Sequence, residues 1–264
     1  MPAKTLVSVA AAIALSIALT PVGLSAWFLS WSAWSVATPV AEVNRAAPVS
    51  DGCPIESRDG LSLYIASTRD GGPPNDIFAA DRASKQDPFG TPVNLGEPVN
   101  GPFNDFCPTP VYGSYLFFVS ERNDEGPTCA AGPGKGDIYL IRRNAASGWG
   151  QPQHLGCADD GTGPNTIGAE FSPSLVTTIE GTFLYFSSDV TGNQDIYRSK
   201  RGHDGRFGPP VAVSELNTEF DDRMPNVRSD GLEIVFSSLR LTDAAGTPRV
   251  GGFDVYVSKR SATW

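Results

Sequence analysis

GLSLYIAS, residues 60–67, is written three more times in this chain: GSYLFFVS at 113–120, GTFLYFSS at 181–188 and GLEIVFSS at 231–238. The four align without a gap. Each is followed by a variable stretch and then by Asp-Ile/Val-aromatic, at Asp76, Asp137, Asp195 and Asp254, spaced 61, 58 and 59 residues apart. A strand-like unit recurring near sixty residues predicts stacked β modules, not a single sheet.

The rest of the unit repeats as well. An aromatic and a proline three residues on follow at Phe89/Pro92, Trp149/Pro152 and Phe207/Pro210, with Trp264 at the aromatic position of the fourth copy. Next comes Asn, an acid five further on and a Pro three beyond: Asn100/Asp105/Pro108, Asn165/Glu170/Pro173 and Asn217/Asp222/Pro225, with Asp51/Pro54 keeping the last spacing upstream.

Each copy reads as four short strands. The first motif is rich in β-formers, with Leu63/Ile65, Leu116/Phe118, Leu184/Phe186 and Ile234/Phe236 in the core-facing phase. Asp59-Gly60 and Asp230-Gly231 supply the positive φ of a tight hairpin. Asp-Ile-Tyr is the next strand. The segment opened by Pro92, Pro152 or Pro210 is a fourth, placed at an outer edge because Pro cannot donate to a ladder. Four-stranded antiparallel units repeated about an axis make an all-β fold, the β-propeller.

Pro54-x-x-Ser-x-Asp-Gly60, Leu-Tyr-Phe-x-Ser, then Arg, then Asp-Ile-Tyr resembles the WD40-like repeat of TolB- and tricorn-type propellers, over residues 39–264. The resemblance implies the fold and leaves the function open, since such propellers host many roles. The third copy departs from the pattern: Asp189-Val190 follows its Ser188, with no Arg where Arg69, Arg122 and Arg240 stand elsewhere. The second has Tyr112-Gly113 in place of Asp-Gly. The fourth copy stops before its last strand, and Thr38–Asn44 matches the missing piece. Either that strand closes a four-bladed ring, or the chain is a truncated, inactive copy of a five-bladed parent.

Residues 1–37 are of different composition. Lys4 is the only charge before Glu42, and the apolar run 5–19 is followed by Pro21, Gly23 and three Trp. This reads as a secretory signal or an uncleaved membrane anchor. Either way the propeller, 38–264, is expected to be exported to the periplasm, the cell surface or the medium. Without Lys4 it holds 19 basic against 29 acidic residues, which argues against nucleic acid and against membrane contact except through the N-terminal segment. A monomer is expected, with a protein or carbohydrate ligand.

Export makes disulfides of the four cysteines. Cys129 and Cys157 lie in the two extra segments of the second copy, and Cys53 and Cys107 precede Pro at equivalent points of neighbouring copies. The expected bridges are Cys129–Cys157 and Cys53–Cys107. A metal site on these sulfurs is not expected, since Cys-x-x-Cys is absent.

Catalytic motifs are missing. The chain has no Gly-x-Ser-x-Gly, His-Glu-x-x-His or phosphate loop. Asp51, Asp105, Glu170 and Asp222 should ring one channel mouth, where carboxylates can hold Ca²⁺ or cleave or eliminate at polysaccharide linkages. A feature present in every repeat is better read as architecture, with the recurrent Arg paired to Asp76, Asp137, Asp195 and Asp254. The irregular loops carrying Asp124, Glu125, Asp159 and Asp160 are the expected binding site, attractive to a basic partner or Ca²⁺. The sequence therefore points to a binding module without its own catalytic machinery, with no cofactor other than Ca²⁺ in view.

Overall fold

The computed structural model describes residues 38–71, 74–122, 129, 135–242, 246, 248 and 251–261. The N-terminal segment 1–37, Asp124, Glu125 and Trp264 lie outside them. Among the described residues no helix is long and apolar enough to cross a membrane.

Four antiparallel sheets form a four-bladed β-propeller. Blade 1 is β1 (Asp51–Glu56), β2 (Ser62–Ser67), β3 (Asp76–Asp81) and β4 (Val93–Asn94). Blade 2 is β5 (Asp105–Val111), β6 (Tyr115–Ser120) and β7 (Asp137–Asn144), with the short β8 (Gly148–Trp149) and β9 (Gln153–His154) both pairing with β7. Blade 3 is β10 (Glu170–Thr178), β11 (Gly181–Ser188), β12 (Asp195–Lys200) and β13 (Val211–Ala212). Blade 4 is β14 (Asp222–Val227), β15 (Glu233–Ser238) and β16 (Asp254–Lys259). The outer strands β4, β9 and β13 each begin one residue after the expected Pro. Gly60 and Gly231 take φ of 71° and 73°, as their hairpins require.

The core lies between blades. Leu116 and Phe118 face blade 1, Leu184 and Phe186 face blade 2, and Phe236 faces blade 3. The opposite phase of the same strands is also buried, with Tyr64, Phe117 and Tyr185 packing on the following blade. Ile77, Ile138 and Ile196 are fully buried in these seams. Burying one such side chain contributes about 1.5–3 kcal/mol. A repeated clamp locks each seam. The side-chain oxygen of Asn100, Asn165 and Asn217 accepts from the N–H of Ile77, Ile138 and Ile196, and its NH₂ donates to the same residue's carbonyl.

Blade 4 has no following neighbour among the described strands. Val255, at the position of Ile77, Ile138 and Ile196, is 75% exposed. Strand packing joins blades 1 to 2, 2 to 3 and 3 to 4, with none of comparable extent between 4 and 1 among the described residues. The expected closing strand over Thr38–Asn44 is not formed: these residues are coil and a turn. The repeat register is nevertheless kept. Val43 carbonyl accepts from Arg69 as Val99 and Leu216 accept from Arg122 and Arg240, and Val43 packs on blade 1 beside Leu63, Ile65 and Phe78. The segment is thus the link that leads into an inner strand and not a strand itself.

Candidate functional site

The four ring acids sit on the inner strands β1, β5, β10 and β14 and are consumed by the fold. Arg69 donates to Asp51 (2.6 Å), Arg122 to Asp105 (2.8 Å) and Arg240 to Asp222 (2.6 Å). Each guanidinium also donates to the Ser two residues before it and stacks on its own blade's aromatic, Phe78, Phe118 or Phe236. Asp105, Glu170 and Asp222 are 0% exposed. The recurrent Arg therefore pairs with the ring acids, not with Asp76, Asp137 and Asp195. Those accept instead from Asn94, His154 and Thr191, because the Ser-x-Arg spacing turns the guanidinium inward. Partial burial pushes Asp51 up, but hydrogen bonds from Ser67, Arg69 and Arg45 outweigh it and hold the carboxyl low. Burial pushes Asp105 up despite Ser120 and Arg122.

Glu170 is the exception. With Val190 in place of the recurrent Arg, its Oε1 accepts from Thr166 N–H, Thr166 hydroxyl and Ser188 hydroxyl, while buried Oε2 has no partner. Asp189 accepts from Ala169 N–H instead. Burial, with Asp137 nearby, pushes Glu170 well above the usual carboxylate range. The loss of the recurrent Arg from the third copy was the sequence signal for this acid without an ion-pair partner.

The Cys129–Cys157 bridge is present, with Cα atoms 5.3 Å apart. Cys53 and Cys107 are free thiols, contrary to expectation. They pack in one inter-blade cluster without a bond, and Cys107 Sγ lies 3.4 Å from Ser172 Oγ. Their interaction holds the Cys107 thiol low and pushes Cys53 up. His154, three residues before Cys157, lies beside Cys129 and Cys157, but both sulfurs are spent in the bridge. His154 Nδ1 accepts from Gly156 N–H, which leaves Nε2–H to donate to Asp137.

The bridge anchors a tight loop. Gly156 and Gly163 bring its ends into contact: a Cβ on Gly156 would stand 2.5 Å from Thr162 O, and one on Gly163 would strike Leu155 O. Asp160 Oδ1 accepts from Thr162 N–H (2.8 Å) and hydroxyl (2.6 Å), which holds this carboxyl low. Asp159 is exposed beside it.

This loop walls a cleft of about 600 Å³ between blades 2 and 3 that sequence reading did not foresee. The floor is Phe117 against Phe207, edge to face at 6.0 Å, with Leu140 beside them. Tyr112, 62% exposed and at φ 51°, overhangs one side with Tyr115. A bulky residue at positive φ is an uncommon strain. The opposite wall is the turn of Arg201 to Phe207, which puts Arg201 and Arg206 on the rim, where Asp160 is the single acid among the described residues. Only the three-dimensional meeting of two blades makes this site. It has the size and the apolar floor with few polar groups typical of ligand pockets.

No protein-family model matches the chain, and no curated protein is recognisably similar to it. Solved structures do match. A putative TolB from Agrobacterium tumefaciens is 20% identical, with TM-score 0.50 over 77% of this chain and 59% of its own. A TolB from Acinetobacter baumannii is 16% identical, with TM-score 0.45 over 80% of this chain and 41% of its own. A thermostable family-43 glycoside hydrolase is 12% identical, with TM-score 0.50 over 78% of this chain and 69% of its own. The chain thus spans about three fifths of the first TolB. The first and third of these likenesses, at TM-score 0.50, support the β-propeller fold alone.

Proposed function

We propose that the protein is an exported β-propeller that binds a ligand in the cleft between blades 2 and 3 and does no chemistry on it. The observation that carries this reading is the contrast between two places. The ring acids, the candidates for polysaccharide cleavage or Ca²⁺, are buried and ion-paired or hydrogen-bonded, whereas glycoside cleavage needs an acid and a base open to substrate and water. The cleft is open, apolar at its floor and polar at its rim. Export is supported by the Cys129–Cys157 disulfide.

The rim favours an anion. Arg201 and Arg206 face one acid, in a chain of formal net charge −9. The occupant is therefore an aromatic or aliphatic body with a carboxylate or similar group, not the basic partner expected from the loop acids, since Asp160 is engaged within its own loop. Fluorescence titration with 8-anilinonaphthalene-1-sulfonate tests this. One saturable site is expected, weakened roughly tenfold or more by changing Arg201 and Arg206 to Gln, the worth of a charged hydrogen bond. Unchanged binding in that variant refutes the placement.

A further inference from the structure

The four inner strands share a second ring that the cleft does not use. Cys53, Cys107, Ser172 and Met224 are equivalent residues with φ of 47°, 47°, 50° and 56°. Each sits where its strand's register with the next strand shifts, so each is the extra residue of a bulge. Bulges re-aim side chains, and a left-handed φ at a non-glycine residue costs energy every time. Four such residues are held this way, and three of them bear sulfur.

These side chains meet across blades. Cys53 packs against the cluster that holds Cys107, and Cys107 Sγ lies 3.4 Å from Ser172 Oγ. Cys107 is buried, Cys53 is partly exposed, and Met224 is 42% exposed. The pair is thus shielded on one side and reachable on the other.

We propose that Cys53 and Cys107 together bind a soft monovalent d¹⁰ cation, Cu(I) or Ag(I), through two thiolates that bridge blades 1 and 2. Thiolate and thioether donors select such ions. Zn²⁺ asks for four strong ligands in a tetrahedron, and two thiols with one hydroxyl beside them do not supply them. Binding exchanges two S–H bonds for two metal–sulfur bonds. Both protons leave to solvent, and no electron is transferred.

The test presents Cu(I) as its coloured bicinchoninate complex, anaerobically, with ascorbate as reductant so that the Cys129–Cys157 disulfide survives. The native protein is expected to withdraw one Cu(I) per chain. Cys53→Ser and Cys107→Ser should each weaken that uptake at least ~10-fold, while His154→Ala, beside the other sulfur pair, leaves it unchanged. A native-like near-UV circular dichroism spectrum of each Ser variant is expected, so that the loss is one of ligand and not of fold. Three results would overturn the proposal: no uptake by native protein, uptake that survives in both folded Ser variants, or a Cys53–Cys107 disulfide found by non-reducing peptide mapping of exported protein.

Discussion

Asp105→Ala should be among the most damaging single changes on the inner strands. The carboxylate is 0% exposed and its Arg122 partner 8%. Arg122 also donates to Val99 and Pro98 carbonyls and stacks on Phe118 and Tyr139, so it cannot swing out to water when its partner goes. Breaking a buried pair by removing one member leaves an uncompensated charge and costs about 3–5 kcal/mol. In a domain of this size 1 kcal/mol moves Tm by about 2–4 °C, so the fall should be about 6–20 °C. Adding Arg122→Met to the same chain should recover part of it, because the stranded cation is gone. The control is Asp230→Ala. Its pair with Arg228 is about half exposed on both sides, and solvent and salt screen such a pair to a small contribution, so its Tm should stay near wild type. Calorimetry of the four proteins decides the matter. An Asp105→Ala Tm within about 2 °C of wild type would refute the architectural reading and reopen the ring as a functional site.

Glu170 predicts a pH signature. Its raised folded pKa means that its stabilising contribution is complete below the unfolded value near ~4.3 and is lost as pH rises through the folded value. Glu170→Gln should therefore gain on wild type as pH rises, and parallel pH–Tm curves would contradict this. The Cys129–Cys157 bridge closes a 28-residue separation and should contribute about 3 kcal/mol, read as the Tm difference from the Cys129→Ala/Cys157→Ala variant. Ile138→Ala should cost about 2–5 kcal/mol in denaturant melts, whereas Val255→Ala, at the same repeat position but exposed, should stay within about 0.5.

The repeat made the blades legible because strand periodicity, Asp-Gly turns and Pro-led edges are local properties. The 129–157 bridge was legible for a related reason: both cysteines sit in insertions of one copy. The partner of each Arg was not. Ser67-x-Arg69 and Asp76 lie close in sequence, yet the guanidinium turns back to Asp51 on the inner strand, a choice made by packing on Phe78. The Cys53–Cys107 bridge failed for a distance reason, since equivalence in the repeat brings two thiols into contact but does not fix a bond length. The closing strand failed because Val43 preserves the register of the linker, not of a strand. The cleft was invisible, as Tyr112, Leu140 and Phe207 come from three separate strands and turns and carry no shared motif.

A crystallographic screen of small aromatic and aliphatic carboxylates against the exported protein tests the central claim most directly. The account predicts density in the cleft, its apolar body over Phe207 and Leu140 and its carboxylate at Arg201 or Arg206. Density at the channel mouth against Asp105, Glu170 or Asp222, with the cleft empty, would contradict it.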